Sequence, residues 1–219
     1  VSLVIHRFRT VSSTQDEARR LVDAGRGKPG HVVVADEQTE GRGRFGRAWL
    51  SPYGGLYATF IVASHPMVPL VGGVAVLRAL GRFGVDASLK WPNDVIVDER
   101  KLAGILIEVA ADVAFVGIGV NLVEAPLETA TSVRAVGGTA RLGELVVAIW
   151  EEMSEAAEDV LTSYRKGLAT LGRRVLVALA DGGTVEGTAV DIDAEGRLLV
   201  ETATGVRAIP SGECAHLQA

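Results

Sequence analysis

Cysteine is almost absent, and the single Cys214 rules out an intrachain disulfide and a thiolate metal cluster. Histidine is sparse as well: His6, His31, His65 and His216 stand at no ligand spacing of the HxxxH kind, which argues against a zinc site. No apolar run approaches the roughly 20 residues of a membrane span; the stretch Leu70 to Leu77 is short and contains two glycines. The apolar Val1, Leu3, Val4 and Ile5 give way to His6, Arg7 and Arg9 before a signal-peptide core could form, so the cytoplasm is the expected compartment. Positive charge is not in excess. With 22 Lys and Arg against 27 Asp and Glu the formal charge is −5, which argues against a general nucleic-acid binder. What is present in quantity is apolar side chain, 48% of 219 residues, enough to bury the core of one medium domain and a small second one.

Val1 to Phe8 reads as a strand, and Thr14 with Glu17 three residues on has the pattern of a capping box. A helix is predicted behind it, with Ala18, Leu21 and Val22 on one face and Gly25, Gly27 and Pro29 as its stop. His31 to Asp36 and Leu56 to Ala63 are apolar strands. Leu70 to Phe83 has helical periodicity and ends at Gly84, and Ala87 to Trp91, Val95 to Val97, Gly104 to Ala110 and Ala114 to Ile118 complete a mixed sheet. Ala140 to Tyr164 is a long helical stretch, in one piece or two. After Gly172 the pattern changes to four short strands, Val175 to Leu179, Thr184 to Ile192, Arg197 to Glu201 and Val206 to Ile209, separated by glycine-containing turns. That spacing predicts a small antiparallel barrel and a boundary near Leu171 to Arg174.

Gly41-Arg42-Gly43-Arg44-Phe45-Gly46 formally matches GxGxxG after a strand, the dinucleotide-binding fingerprint. Its context excludes that reading. A Rossmann turn opens into a helix, whereas Arg47 to Gly55 contains a proline and two glycines and reads as a loop. Three arginines on a glycine backbone suit carboxylate or phosphate oxygens, and equally a solvated basic loop or an RG-type nucleic-acid contact. Further on, Lys90-Trp91-Pro92-Asn93-Asp94 and Lys101 to Glu108 place two lysines, an amide and a carboxylate on a strand, turn and strand unit. That unit has an ordinary reading too, a hairpin with a polar loop.

Together these stretches resemble the biotin protein ligases. The family's GRGRxGRxW stands as Gly41 to Trp49, its KWPND as Lys90 to Asp94, and its KxxGIL as Lys101 to Leu106. Ser13-Thr14, Gln38-Thr39 and Gly117 to Asn121 match further family segments, so the likeness runs from about Ser12 to Asn121. Gln15 departs from it, because the family usually has Asn after the Ser-Thr pair.

The resemblance implies an α+β fold: a catalytic domain of mixed sheet and flanking helices over residues 1–171, class II synthetase-like, and an SH3-like barrel over 172–219. It implies activation of biotin by ATP to biotinyl-AMP, then transfer to a lysine of a biotin carboxyl carrier protein or domain of a biotin-dependent carboxylase. Lys101, Arg44 and Asp94 are then the catalytic candidates. Biotin would meet Ser13, Thr14, Gln15, Gln38, Gly41, Arg42, Gly43, Arg44, Lys101, Gly104 and Gly117. ATP would meet Arg42, Arg44, Arg47, Trp49, Lys90, Asn93, Lys101 and Asn121, with Trp49 stacked on adenine, Asn121 reading its edge, and magnesium held mainly by phosphates and water. Ser13 stands too near the start of this sequence for a helix-turn-helix repressor domain before it, so the monofunctional form is expected, with no nucleic-acid partner and no membrane. Exposed sheet edges offer a route to a homodimer.

Overall fold

A hydroxyl side chain decides where the first helix starts. In the computed structural model, which describes residues 2–155 and 159–217, α1 (Thr14–Asp23) is capped by Ser13, whose extended backbone lets its Oγ accept from the Gln15 amide. The predicted Thr14–Glu17 box does not form, because the Thr14 hydroxyl donates instead to Gln38 Oε1 at 3.1 Å. Before the helix, β1 (Val4–Val11) begins later than the spacing predicts, and Val1 lies outside the described residues. β1 pairs in parallel with β2 (His31–Gln38), the arrangement a crossover helix permits.

The remaining strands of this sheet are β3 (Leu56–Ala63), β4 (Ser88–Lys90), β5 (Asp94–Val97), β6 (Arg100–Ala110) and β7 (Val113–Val120), in the spatial order β1-β2-β3-β7-β6-β5-β4. All of these further pairings are antiparallel. One face is covered by α1 through Ala18 and Leu21 against Val33, Ile61 and Phe115. The other face carries α2 (Val68–Gly81), α3 (Leu142–Glu155) and α4 (Val160–Gly167). Their Leu80, Leu145 and Ile149 pack with Phe60 and Val116 in the main core. α2 starts before the predicted Leu70, because Pro69 is tolerated in a first turn whose N–H groups lack partners anyway. The helical stretch from Ala140 to Tyr164 is two helices, and residues 156–158 between them lie outside those described.

β8 (Arg174–Ala178), β9 (Thr184–Ile192), β10 (Leu198–Thr202), β11 (Gly205–Ile209) and β12 (Glu213–His216) form a second, antiparallel sheet in the order β11-β10-β9-β8-β12. This is the small C-terminal β-domain, with Val175, Val177, Ile192, Leu198 and Val200 at zero exposure. Its fifth strand, β12, was not expected. Glu213-Cys214-Ala215-His216 has no β-branched residue, and its strand state comes from pairing with β8.

The two parts meet at the Trp91 turn. The Trp91 amide donates to Thr170 Oγ1 at 3.1 Å, and the Thr170 hydroxyl lies 3.1 Å from His216 Nε2. His216 Nδ1 in turn lies 3.1 Å from Glu99, which also pairs with Arg173 at 2.9 Å. With Thr170 taking the Trp91 donor, its own proton goes to Nε2, and the neutral Nδ1–H imidazole then satisfies every group in the chain.

Candidate active site

An irregularity in β6 aims the central lysine. Lys101 pairs with Ile96 and Ala103 with Val95, so Leu102 is an extra residue in the ladder. A bulge reverses the alternation of faces beyond it, and Lys101 and Gly104, three apart, therefore open onto one cavity. Backbone bonds from Lys101 N to Thr129 O and from Thr131 N to Lys101 O hold the residue independently of its side chain. Its Nζ lies 2.6 Å from Asp94 Oδ1 and 5.3 Å from the Trp49 ring centroid.

The cavity measures about 460 Å³, within the usual range for small-molecule sites. Every residue the sequence marked as a candidate lines it except Gly41 and Asn121. Gly41 lies beneath the loop, where a Cβ would stand 2.4 Å from Trp49 O and 2.6 Å from Ser51 Oγ, so its part is to let the loop seat. Asn121 is buried, and its amide donates to Thr131 O at 3.0 Å and Lys101 O at 3.5 Å. Those bonds place it behind the lysine rather than in the cavity.

One end of the cavity is a polar network. The Thr59 hydroxyl donates to Thr14 Oγ1 at 2.9 Å, and the Thr14 amide donates to Gln38 Oε1 at 2.8 Å. Gln38 Nε2 then donates to Ser51 Oγ at 2.8 Å. Gln15 gives its Nε2 to Leu106 O at 3.3 Å and keeps a buried Oε1 with no donor among the described residues. Such an atom is costly unless a ligand supplies an N–H. Gly117 makes room for this amide, a Cβ there falling 3.2 Å from Gln15 Cδ.

The other end is aromatic and cationic. Trp49 lies against the backbone of β6 and β7: a Cβ on Gly119 would be 2.4 Å from its Nε1, and one on Gly104 would be 2.9 Å from Cζ3. The Arg42–Ala48 bridge closes the arginine loop as a turn, with Phe45 in the left-handed region at φ 56°. Each arginine has its own partner. Arg42 makes a bidentate pair with Asp16 at 2.7 and 2.8 Å, which holds the Asp16 carboxyl below the usual range and raises the guanidinium. Arg44 reaches Asn93 Oδ1 at 3.4 Å and Ser211 Oγ at 2.5 Å. Burial lowers its pKa, opposed by the nearby Asp94. Arg47 pairs with Glu213. Ser211, Glu213 and Thr59 carried no local signal in the sequence, since they reach the site only through tertiary packing. Cys214 also lines the cavity, and burial pushes its thiol up to about 11, leaving it an unreactive neutral group.

The sequence model of the biotin/lipoate A/B protein ligase family matches residues 8–122, and that of the biotin protein ligase C-terminal domain matches 170–217. The chain belongs to the biotin protein ligases. It is 32% identical to a biotin–[acetyl-CoA-carboxylase] ligase of Mycobacterium tuberculosis, over 94% of this chain and 86% of that one. Its fold superposes on the biotin protein ligase of Aquifex aeolicus in complex with biotin and ATP with a TM-score of 0.83, at 32% identity and over 98% and 99% of the two chains. The ligase of Leishmania major in complex with biotinyl-5-AMP gives a TM-score of 0.68, also at 32% identity and over 98% of each chain. No group of three or more His, Cys, Asp or Glu that could hold a metal ion occurs among the described residues, and no helix among them is long and apolar enough to cross a membrane.

Proposed function

We propose that this ligase activates biotin with ATP and transfers it to a lysine of a biotin carboxyl carrier protein or domain. The observation that carries the reading is one cavity with a buried acceptor awaiting an N–H at one end and Lys101, Arg44 and Trp49 at the other. Biotin's ureido ring supplies that N–H to Gln15, with Ser13, Thr14 and Gln38 around it. A lipoyl dithiolane would leave the Gln15 oxygen unpaired, so the site favours biotin.

In the first step a biotin carboxylate oxygen attacks the α-phosphorus of ATP, and the bond to pyrophosphate breaks. Two anions approach, so Lys101 bridges them, and Arg44 with Arg42 offsets the charge that grows on the phosphoryl oxygens. Lys90, Asn93 and Arg47 line the same cavity and are available to the phosphates, and Trp49 offers a flat face for adenine. Asn121 acts on this reading by fixing the Lys101 backbone. Magnesium fits as an ion carried by the phosphates and water, with Asp94 the carboxylate at hand. In the second step the carrier lysine attacks the mixed anhydride and AMP leaves, with Asp94 as proton acceptor.

We place the domain division at residues 171 and 172, supported by the second sheet starting at Arg174. The expected cytoplasmic location suits an enzyme that consumes ATP and modifies a carboxylase. A homodimer has β1 available as an edge strand, with Val4 and Ile5 exposed. The test is incubation with ATP, magnesium and either biotin or lipoate. Pyrophosphate release and acyl-adenylate with biotin alone are expected, and equal turnover of lipoate would overturn the assignment.

A further inference from the structure

A set of side chains outside the cavity ties the C-terminal β-domain to the two turns that carry the site. At its centre the fully buried Thr170 accepts the Trp91 amide at 3.1 Å and lies 3.1 Å from His216 Nε2. His216 stands on β12 with its side chain only 5% exposed, and its Nδ1 lies 3.1 Å from Glu99 Oε2. The other Glu99 oxygen pairs with Arg173 at 2.9 Å. Glu99, Thr170, Arg173 and His216 do not line the cavity, but the segments they hold do. Trp91 opens the turn that leads through Asn93 to Asp94, and Lys101 stands just past Glu99.

The turn between β5 and β6 has an unusual sequence for its shape. Val97 pairs with Arg100, so Asp98 and Glu99 are the two loop residues of a tight hairpin, at φ 48° and 61°. A two-residue turn with both residues in the left-handed region is commonly Asn-Gly or Asp-Gly. Asp98 fits that pattern, but Glu99 stands where glycine would meet no steric cost. Backbone held in an unfavourable region persists where its surroundings over-determine it. Here the surroundings are Arg173 and His216, and glycine could accept from neither.

We propose that Glu99, His216 and Thr170 are positioning residues, a relay through which the C-terminal β-domain fixes both ends of β5 and with them Asp94 and Lys101. This rests on the ligase reading above. Glu99 anchors the β5–β6 end, Thr170 anchors the β4–β5 end at Trp91, and His216 joins the two. The relay needs a neutral imidazole, because Thr170 donates to Nε2 while Nδ1–H donates to Glu99. A second ring proton would sit on Nε2, facing the Thr170 oxygen, and the buried Thr170 hydroxyl would lose its acceptor. Burial opposes that proton, as do the nearby Lys90 and Arg173, whereas Glu99 favours it, and the net effect is a lowered pKa.

Three variants test the relay. Glu99→Gly relieves the backbone and removes the carboxylate, Glu99→Gln keeps an acceptor for Nδ1–H, and His216→Gln keeps one acceptor and one donor that do not titrate. Each is assayed for pyrophosphate release with biotin and ATP over a pH series, for thermal unfolding, and for exchange of the Trp91 amide by NMR without substrates. In Glu99→Gly, kcat should fall about 10- to 100-fold, the scale of a reacting group displaced by up to about 1 Å. Its KM for biotin should stay near the parent's, since Thr14, Gln15 and Gln38 are outside the relay. Its unfolding temperature should also stay near the parent's, because the lost pair is half exposed and the backbone is relieved. Exchange at Trp91 should quicken in Glu99→Gly, and Glu99→Gln should restore both exchange and rate. The rate of the parent should fall below about pH 6.5, the ordinary histidine value, and part of that fall should vanish in His216→Gln. Parental kcat in Glu99→Gly overturns the relay, as does an acid limb identical in the parent and His216→Gln. Absence of adenylate in the parent overturns the ligase reading instead, and Trp91 exchange in the two Glu99 variants then decides the relay by itself: equal exchange in both overturns it.

Discussion

Replacing Lys101 by Gln separates chemistry from folding. The ammonium is 2.6 Å from Asp94, but the two side chains are 36% and 27% exposed, and the residue's backbone is held by Thr129 and Thr131. A pair so placed contributes about 0–1 kcal/mol to stability. For a chain of this length that corresponds to a fall in Tm of about 4 °C at most. The same ammonium stands in the cavity between Asp94 and the Trp49 ring, where on the proposed mechanism it bridges carboxylate and phosphate, and loss of one such preorganised donor costs about 100–1,000-fold in rate, or about 2.7–4 kcal/mol. Pyrophosphate release under saturating biotin and ATP should fall by that factor, while calorimetry shows a nearly unchanged unfolding transition. Adenylate formation at the parent rate would refute the bridging role. A Tm loss of roughly 10 °C or more would show instead that the pair holds the fold together, contrary to its exposure.

Gly119→Ala puts a Cβ 2.4 Å from Trp49 Nε1, so the indole must lift from the sheet. About 1–3 kcal/mol of overpacking is expected in unfolding experiments, along with a changed tryptophan emission and weaker ATP binding. Asp16→Asn removes the bidentate partner of Arg42, and amide exchange over residues 40–49 should quicken with a stability change of at most about 1 kcal/mol; unchanged exchange would mean the pair does not hold the loop. Burial keeps His216 below its ordinary 6.5, so the unfolded chain takes up that proton first as pH falls. His216 therefore contributes fully above about pH 6.5 and progressively less below it, and urea midpoints should drop on acidification. His31 is also lowered, by burial and then by His6, so the decisive result is a shallower drop in His216→Asn.

What the sequence determined by itself is the local part of this protein. A hydroxyl before a helix, a glycine-arginine loop after a buried strand, and two strands joined by a polar turn are each set by interactions between residues close along the chain, and each is legible as spacing. Even there the choice between Ser13 and Thr14 as cap was tertiary, because Gln38, 24 residues on, claimed the threonine. The loop's counter-charges were likewise beyond local reading: the neighbouring Asp36, Glu37 and Glu40 make no ion pair with its arginines among the described residues, while Asp16 and Glu213 do. Arg44 finds Ser211 across 167 residues, on a segment whose position depends on β12 pairing with β8. The bulge at Leu102, which turns Lys101 toward the cavity, depends on register against β5. Asn121 carries a motif position, yet its neighbours Thr131 and Lys101 decide that it points behind the lysine. Motif spacing names the residues of the site, but the directions in which they point follow from strand register and packing, which no stretch of sequence holds alone.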